Sequence, residues 1–277
     1  MDGMGNKALR FIIPAALFIL VILFLFPMVL ALINAFKPLG EILGNTLGLP
    51  KSFYVDNFVY MFEKMNYTRA FFNTLTVTAI SVVLVVLLGS MCAYKLSRTN
   101  DKKSWIIMML FFSSMIIPFQ TIMIPLAKVA KGLHLVDSLP GLILMVLPLF
   151  SPFAIFMFHG FVKTIPTDMD EAAKIDGCSQ FGTFFKIIFP MLKPVTGSVV
   201  VLNALWLWND FALPLVMLQS AKNKTVTITI YTLFSSVQWN YHYALAGLVL
   251  SALPIILFFI FMQRYIIKGV ITGAVKG

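Results

Sequence analysis

Few side chains in this sequence are equipped for chemistry, and carboxylates lead them. Asp168, Asp170, Glu171 and Asp176 fall within nine residues, and Asp210 is the one formal charge well inside an apolar run. An acid at membrane depth costs roughly 2.5–3.5 kcal/mol on insertion scales, so Asp210 must face a bundle interior or water. Asn203, Trp206 and Asp210 follow the spacing i, i+3, i+7, with Asn209 adjacent, which on a helix makes one face. An aromatic plane flanked by amide and carboxylate acceptors suits a sugar. The competing reading is that Asp210 and Asn209 satisfy helix ends near Pro214. Gln120, Asn73 and Thr74 are weaker candidates of the same kind, each more often an interhelical hydrogen bond than a ligand contact. Other chemistries lack their residues. The phosphate-cradling pattern G-x-x-x-x-G-K-[ST] is absent, His134, His159 and His242 are scattered, and no His/Cys cluster offers metal ligands. Cys92 and Cys178 give no disulfide framework. No bound cofactor is expected on this chain.

The elements that must position these residues are set by apolarity. Hydrophobic residues make up 60% of the 277-residue chain. Six stretches, at 11–36, 70–94, 105–127, 138–162, 195–220 and 241–263, each reach the roughly 20 residues a helix needs to cross a bilayer core. Because backbone groups in lipid must bond within their own segment, the expectation is an all-α integral membrane protein. It would have six transmembrane helices in a single domain over 1–277. The stretch 11–36 exceeds an ordinary signal-peptide core and is read as a retained helix. A net charge of +10 does not point to nucleic acid, because Lys and Arg punctuate the spans instead of forming a face. Their bias between loops places both termini in the cytoplasm. Pro118 and Pro125 in the third stretch, and Pro140, Pro148 and Pro152 in the fourth, argue for an internally packed bundle. Gly89, Ser90, Ala93, Gly197 and Ser198 would allow close helix approach. The first external loop, 37–69, reads as a short packed element.

The acid-rich segment belongs to a cytoplasmic loop over 163–193. Pro166 and Thr167 open a helix that Thr167 can cap, with Asp170 three residues on and the acids by the positive end of the dipole. Met169, Ala172, Ala173 and Asp176 form a small-residue face. Gly177 then stops the helix as a left-handed residue. Ser179 opens a second short helix in which Phe181, Phe184, Phe185 and Ile188 keep helical spacing before Pro190 ends it. In isolation such an element is equally an amphipathic hairpin lying on lipid.

The segment "EAAKIDGCSQFGTFFKIIFP" resembles the Glu-Ala-Ala loop of ABC importer permeases, on Glu171, Ala172, Ala173, Gly177, Ile187 and Pro190, with Phe189 where the pattern has Leu. "FFNTLTVTAISVV", "AYKLSR", "IPTDMDEAAKIDG", "WLWNDFALPL" and "GVITGAVKG" extend the likeness over nearly the whole chain, to carbohydrate permeases of the maltose-transporter type. The resemblance implies a type I ABC importer permease fold in a bacterial or archaeal cytoplasmic membrane. It also implies a coupling helix that docks into an ATPase, with Glu171, Ala172, Ala173, Asp176, Gly177, Ile187 and Pro190 at the contact. The tail, with Lys276 and Gly277, would insert between two ATPase subunits, which would hold the ATP and Mg. A second homologous permease and an extracellular sugar-binding protein complete the implied assembly, and Asp210 then has the partner permease as a further possible contact. By its residues alone, "GVITGAVKG" is too rich in glycine to continue the sixth helix. The main alternative is a stand-alone secondary carrier for a small polar solute. One intramembrane acid and no visible repeat count against it, and the polar face of the fifth stretch counts against a membrane scaffold.

Overall fold

The computed structural model describes residues 2–99, 101–236 and 241–274. In order these are α1 (Asp2–Ala35), α2 (Leu39–Gly44), α3 (Asp56–Lys64), α4 (Tyr67–Arg98), α5 (Lys102–Ile116), α6 (Phe119–Gly132) and α7 (Leu139–Val162). There follow α8 (Asp168–Ile175), α9 (Gln180–Thr183), a π turn at Phe184–Ile188, α10 (Phe189–Met191), α11 (Lys193–Asn209), α12 (Ala212–Met217), α13 (Val226–Ser236) and α14 (Tyr241–Ala274). No strand occurs among the described residues.

Four helices are long and apolar enough to cross a membrane, at Arg10–Ala35, Tyr67–Arg98, Leu139–Val162 and Tyr241–Gln263. Two bent pairs bring the number to as many as six. The third apolar stretch is not one rod: Lys102–Ile116 and Phe119–Gly132 meet at 107°. Pro118 drives the preceding Ile117 out of the helical region, to ψ 117°, and offers no amide to carry the ladder on. The fifth stretch is interrupted where Asp210 turns extended, at ψ 128°, between α11 and α12. The final helix, by contrast, does not stop at "GVITGAVKG". Helix α14 runs to Ala274 through Gly269 and Gly273, whose propensity cost of about 1 kcal/mol each is a weak force against an established helix. Lys276 and Gly277 lie outside the described residues.

The chain divides into two compact units. One takes in α1–α3 and Ile230–Leu253. Its polar anchor is Lys37, wholly buried, which donates through Nζ to Asn34 Oδ1 at 3.0 Å and to the Asn45 carbonyl at 2.9 Å. Asn57 Nδ2 donates to the carbonyls of Ala35 and Lys37, so the stretch after α1 folds back as two short helices. Within this unit no residue in the apolar window of α1 is buried.

The other unit, Thr68–Thr229 resuming at Pro254, holds the main core. Helices α4 and α7 approach closely at Gly89, where an added Cβ would sit 3.1 Å from the Ala154 Cβ. The start of α7 is fixed by a staple. Asp137, at φ 56°, accepts through Oδ1 from the Gln219 and Ser220 amides at 3.0 and 2.9 Å and from Ser220 Oγ at 3.0 Å. Its own amide donates to the Met217 carbonyl at 2.7 Å. These donors, the Ser220 amide foremost, hold the Asp137 carboxyl down at about 2. A carboxyl depressed on folding adds stability that is whole above the unfolded value of about 3.9 and is lost as pH falls through the folded value. In detergent, Asp137→Asn should therefore lower the thermal midpoint at pH 6, and its gap to wild type should close on acidification to about pH 2. A gap unchanged with pH would show that the charge contributes nothing.

Candidate functional site

Two places in the second unit hold residues expected to act, one beyond the C-terminal end of α7 and one beside its middle. The first is the segment after Val162. Thr167 does not cap α8 with its hydroxyl: it is already helical, at φ −65° and ψ −24°, and it is its carbonyl that accepts from the Asp170 and Glu171 amides. Asp168, Asp170 and Glu171 do occupy the first turn, at the positive end of the dipole. The far end closes as the sequence predicts. Gly177 has φ +76°, its amide bonds the Lys174 carbonyl, and the Cys178 amide reaches back to Ala173, which together make a Schellman cap.

The faces of α8 differ from the expected small-residue stripe. Ala173 and Asp170 are buried, while Met169, Glu171, Ala172, Lys174, Asp176 and Gly177 are exposed and Ile175 is 86% exposed. Helix periodicity places Ala173 with Asp170, because the acid has partners inside. Ser179 caps α9, its Oγ accepting from the Gly182 amide at 3.1 Å. Of the four apolar residues that follow, Phe184 and Ile188 enter the core, and Phe181 and Phe185 stay largely outside. Pro190 does not end the helix. The ladder widens into the π turn, so that the Phe189 amide reaches the Phe184 carbonyl, and Pro190 with its missing donor sits in the first turn of α10. Ile187 is half-buried and Pro190 exposed. The chain then bends by 78° into α11.

Asp170 is the residue whose importance sequence reasoning missed. One carboxylate oxygen accepts from Arg98 Nε at 2.9 Å, and the other accepts from the Tyr94 hydroxyl. Arg98 also donates through Nη2 to the Ile165 carbonyl at 3.1 Å and through Nη1 to the Val162 carbonyl at 3.5 Å. Both charged side chains are largely buried, at 15% and 10% exposure. The available signal was the i, i+4 spacing of Tyr94 and Arg98 in "AYKLSR", which sets a hydroxyl and a guanidinium on one helix face.

The second place is a cavity of about 470 Å³. The break between α5 and α6 supplies Ile117, Phe119 and Gln120, α7 supplies Pro148, Leu149 and Phe150, and the break after α11 supplies Asp210, Ala212 and Leu213. Gln120 and Asp210 therefore line one space. The expected face of Asn203, Trp206 and Asp210 is not formed, because the chain leaves the helix at Asp210. Asn203 is wholly buried and donates to the Val199 carbonyl, Trp206 is 46% exposed and packs on Phe153, and Asn209 is exposed and donates to the Leu205 carbonyl. Asp210 makes the contact that its helix-end reading expects. Oδ1 accepts from the Ala212 amide at the start of α12, and its carbonyl accepts from Thr227 Oγ1, while the residue still borders the cavity. Asn73 and Thr74 make interhelical and loop bonds, to Lys222 and Lys224 and to Val226. Among the described residues no group of three His, Cys, Asp or Glu side chains could hold a metal.

Comparison with known proteins places this geometry in a lineage. A family profile described as binding-protein-dependent transport system inner membrane component matches residues 85–272. The probable starch degradation products transport system permease protein AmyC of Thermoanaerobacterium thermosulfurigenes is 38% identical over 93% of this chain and 94% of its own length. The arabinooligosaccharides transport system permease protein AraQ of Bacillus subtilis is 37% identical over 92% of each. In fold the chain is similar to a subunit in the crystal structure of a bacterial ABC transporter involved in the import of the acidic polysaccharide alginate, with a TM-score of 0.83 at 17% identity, covering 96% of this chain and 99% of that one. The chain thus belongs to the family of binding-protein-dependent transport system inner membrane components, as a multi-pass permease subunit of an ABC importer.

Proposed function

We propose that this chain carries a sugar or oligosaccharide through the cytoplasmic membrane by alternating access, powered by ATP and Mg held in two separate ATPase subunits. It pairs with a second homologous permease and receives its cargo from an extracellular sugar-binding protein. Six spans cross the membrane, with α5 and α6 counted together as the third and the stretch 195–220 as the fifth, and both termini are cytoplasmic. The observation that carries this reading is the outer face of α8, where exposed Ile175 stands beside Glu171, Ala172 and the Gly177 cap, ready for a partner to cover. Ile187 and Pro190 support that element from the π turn and α10, and buried Ala173 seats it. Lys276 and Gly277 reach the ATPases from the tail.

The cargo is proposed to pass through the cavity that Gln120 and Asp210 line. Oligosaccharides name the cargo of several relatives, including the melibiose/raffinose/stachyose import permease protein MelC of Bacillus subtilis, 31% identical over the whole chain. A carboxylate and an amide among phenylalanines offer acceptors and apolar surface together, which suits a neutral sugar. Asn203, Trp206 and Asn209, the other candidates on α11, are not among the residues that line it.

Co-purification tests the assembly directly. The tagged chain extracted in mild detergent should bring down an ATPase and a second permease, and its isolation alone would refute the importer reading. In that complex Gly177→Val should abolish transport and substrate-stimulated ATPase activity while the chain remains in the membrane. An added side chain would meet nothing within 4 Å there, so the strain comes only from φ +76°, which a β-branched residue resists. Normal stimulated rates would contradict this. For Asp210, loss of one charged hydrogen bond to cargo should cost roughly 1.5–3 kcal/mol, a tenfold or larger fall in apparent affinity. Asp210→Leu should weaken uptake more than Asp210→Asn. Full assembly with wild-type uptake in the Leu variant would remove Asp210 from the pathway.

A further inference from the structure

Helix α8 has only eight residues, too few to hold its own shape or direction without tertiary support. Its buried contacts come from Asp170 and Ala173, and Arg98–Asp170 is the one ion pair among the described residues. The charges around this pair are arranged in series. Val162 closes α7, where the carbonyls carry the negative end of the helix dipole; its own carbonyl accepts from the Ile165 amide at 3.0 Å, and the Arg98 guanidinium adds a longer contact to it. The same guanidinium holds the Ile165 carbonyl in the connection to α8 and the Asp170 carboxylate in the first turn of α8. Tyr94, one turn earlier on α4, takes the second carboxylate oxygen, so the acid is fixed in rotation as well as in distance. One side chain therefore joins the end of α4, the end of α7 and the start of α8. Along α7, Leu149 at the cavity lies thirteen residues from Val162, about 20 Å at 1.5 Å per residue.

We propose that Arg98 is a positioning residue for energy coupling: through Asp170 and Tyr94 it makes α8 move as one body with α4 and α7, so that displacement of α8 by an ATPase arrives at the cavity wall. This rests on the reading of α8 as the ATPase contact. A lysine could not replace it, because a point charge does not present the planar fork that bonds a carboxylate and two carbonyls together. Without the clamp α8 would still dock on an ATPase, but its motion would be taken up in the 163–167 connection.

The test uses the complex of this chain with its co-purifying ATPase and permease, reconstituted in liposomes. Transport per ATP hydrolysed is measured for Asp170→Asn, Arg98→Lys and the pair Arg98→Cys/Asp170→Cys, the last with Cys92→Ala and Cys178→Ser. ATPase subunits should co-purify with each variant in wild-type proportion, while transport per ATP falls by about tenfold, within the ordinary range of coupling between sites. Bridging the cysteine pair with a short bis-methanethiosulfonate reagent should restore coupling, and a reductant should remove it again. Wild-type transport per ATP in Asp170→Asn and Arg98→Lys would overturn the proposal. So would uncoupling, or loss of assembly, that the bridge does not reverse, since that would mark the clamp as needed for folding alone. If no ATPase co-purifies even with the wild-type chain, it is the importer reading that fails.

Discussion

A backbone in hydrocarbon has no water to bond, so every departure from helix must be covered by protein or open onto a wet space. That constraint orders this molecule. The two breaks within apolar stretches, at Ile117–Pro118 and at Asp210–Phe211, both border the same cavity, where freed groups and a carboxylate can be accommodated. The π turn at Phe184–Ile188 is the third irregularity. It lies where the chain passes from the α8–α9 segment into α11, with Phe184 and Ile188 packed in the core to hold it. The polar groups that border the cavity therefore lie where the helices break.

Much of this was legible in residue types. Apolar length marked the four unbroken helices that are long and apolar enough to cross a membrane, because hydropathy is a direct measure of the solvent a segment requires. Gly177 announced its left-handed turn, and Ser179 its cap, because both follow from local backbone chemistry that distant contacts do little to change. The Gly89 approach was readable for the same reason: a missing side chain has one packing consequence.

What the sequence hid was tertiary. Pro118 could have kinked a continuous helix or broken it, and only the position of α6 settles a 107° turn. Asp170 looked like one of four acids near a helix start. Its burial depends on Tyr94 and Arg98, more than seventy positions away, which no local pattern connects to it. The proposed sugar face on α11 failed for a related reason. Spacing of i, i+3, i+7 assumes a helix that persists, and Asp210 is where it stops. The residue kept its candidate role by joining Gln120, a partner from a different element, on the cavity wall. Gly269 and Gly273 misled in the other direction, since intrinsic propensity counts for little once a long helix is under way.

Helix α7 is pinned at both ends, by the Asp137 staple before Leu139 and by Arg98 at Val162, and it is tightly packed against α4 between them. A rod held in this way cannot simply slide; it must flex. Its compliance is uneven, because Pro148 and Pro152 lie in mid-span and each withholds an amide from the ladder. Pro148, with Leu149 and Phe150, faces the cavity. The softest point of the rod is thus set against the cavity, so a load applied at its ends would be released as bowing of the wall there, with the anchored ends staying in register.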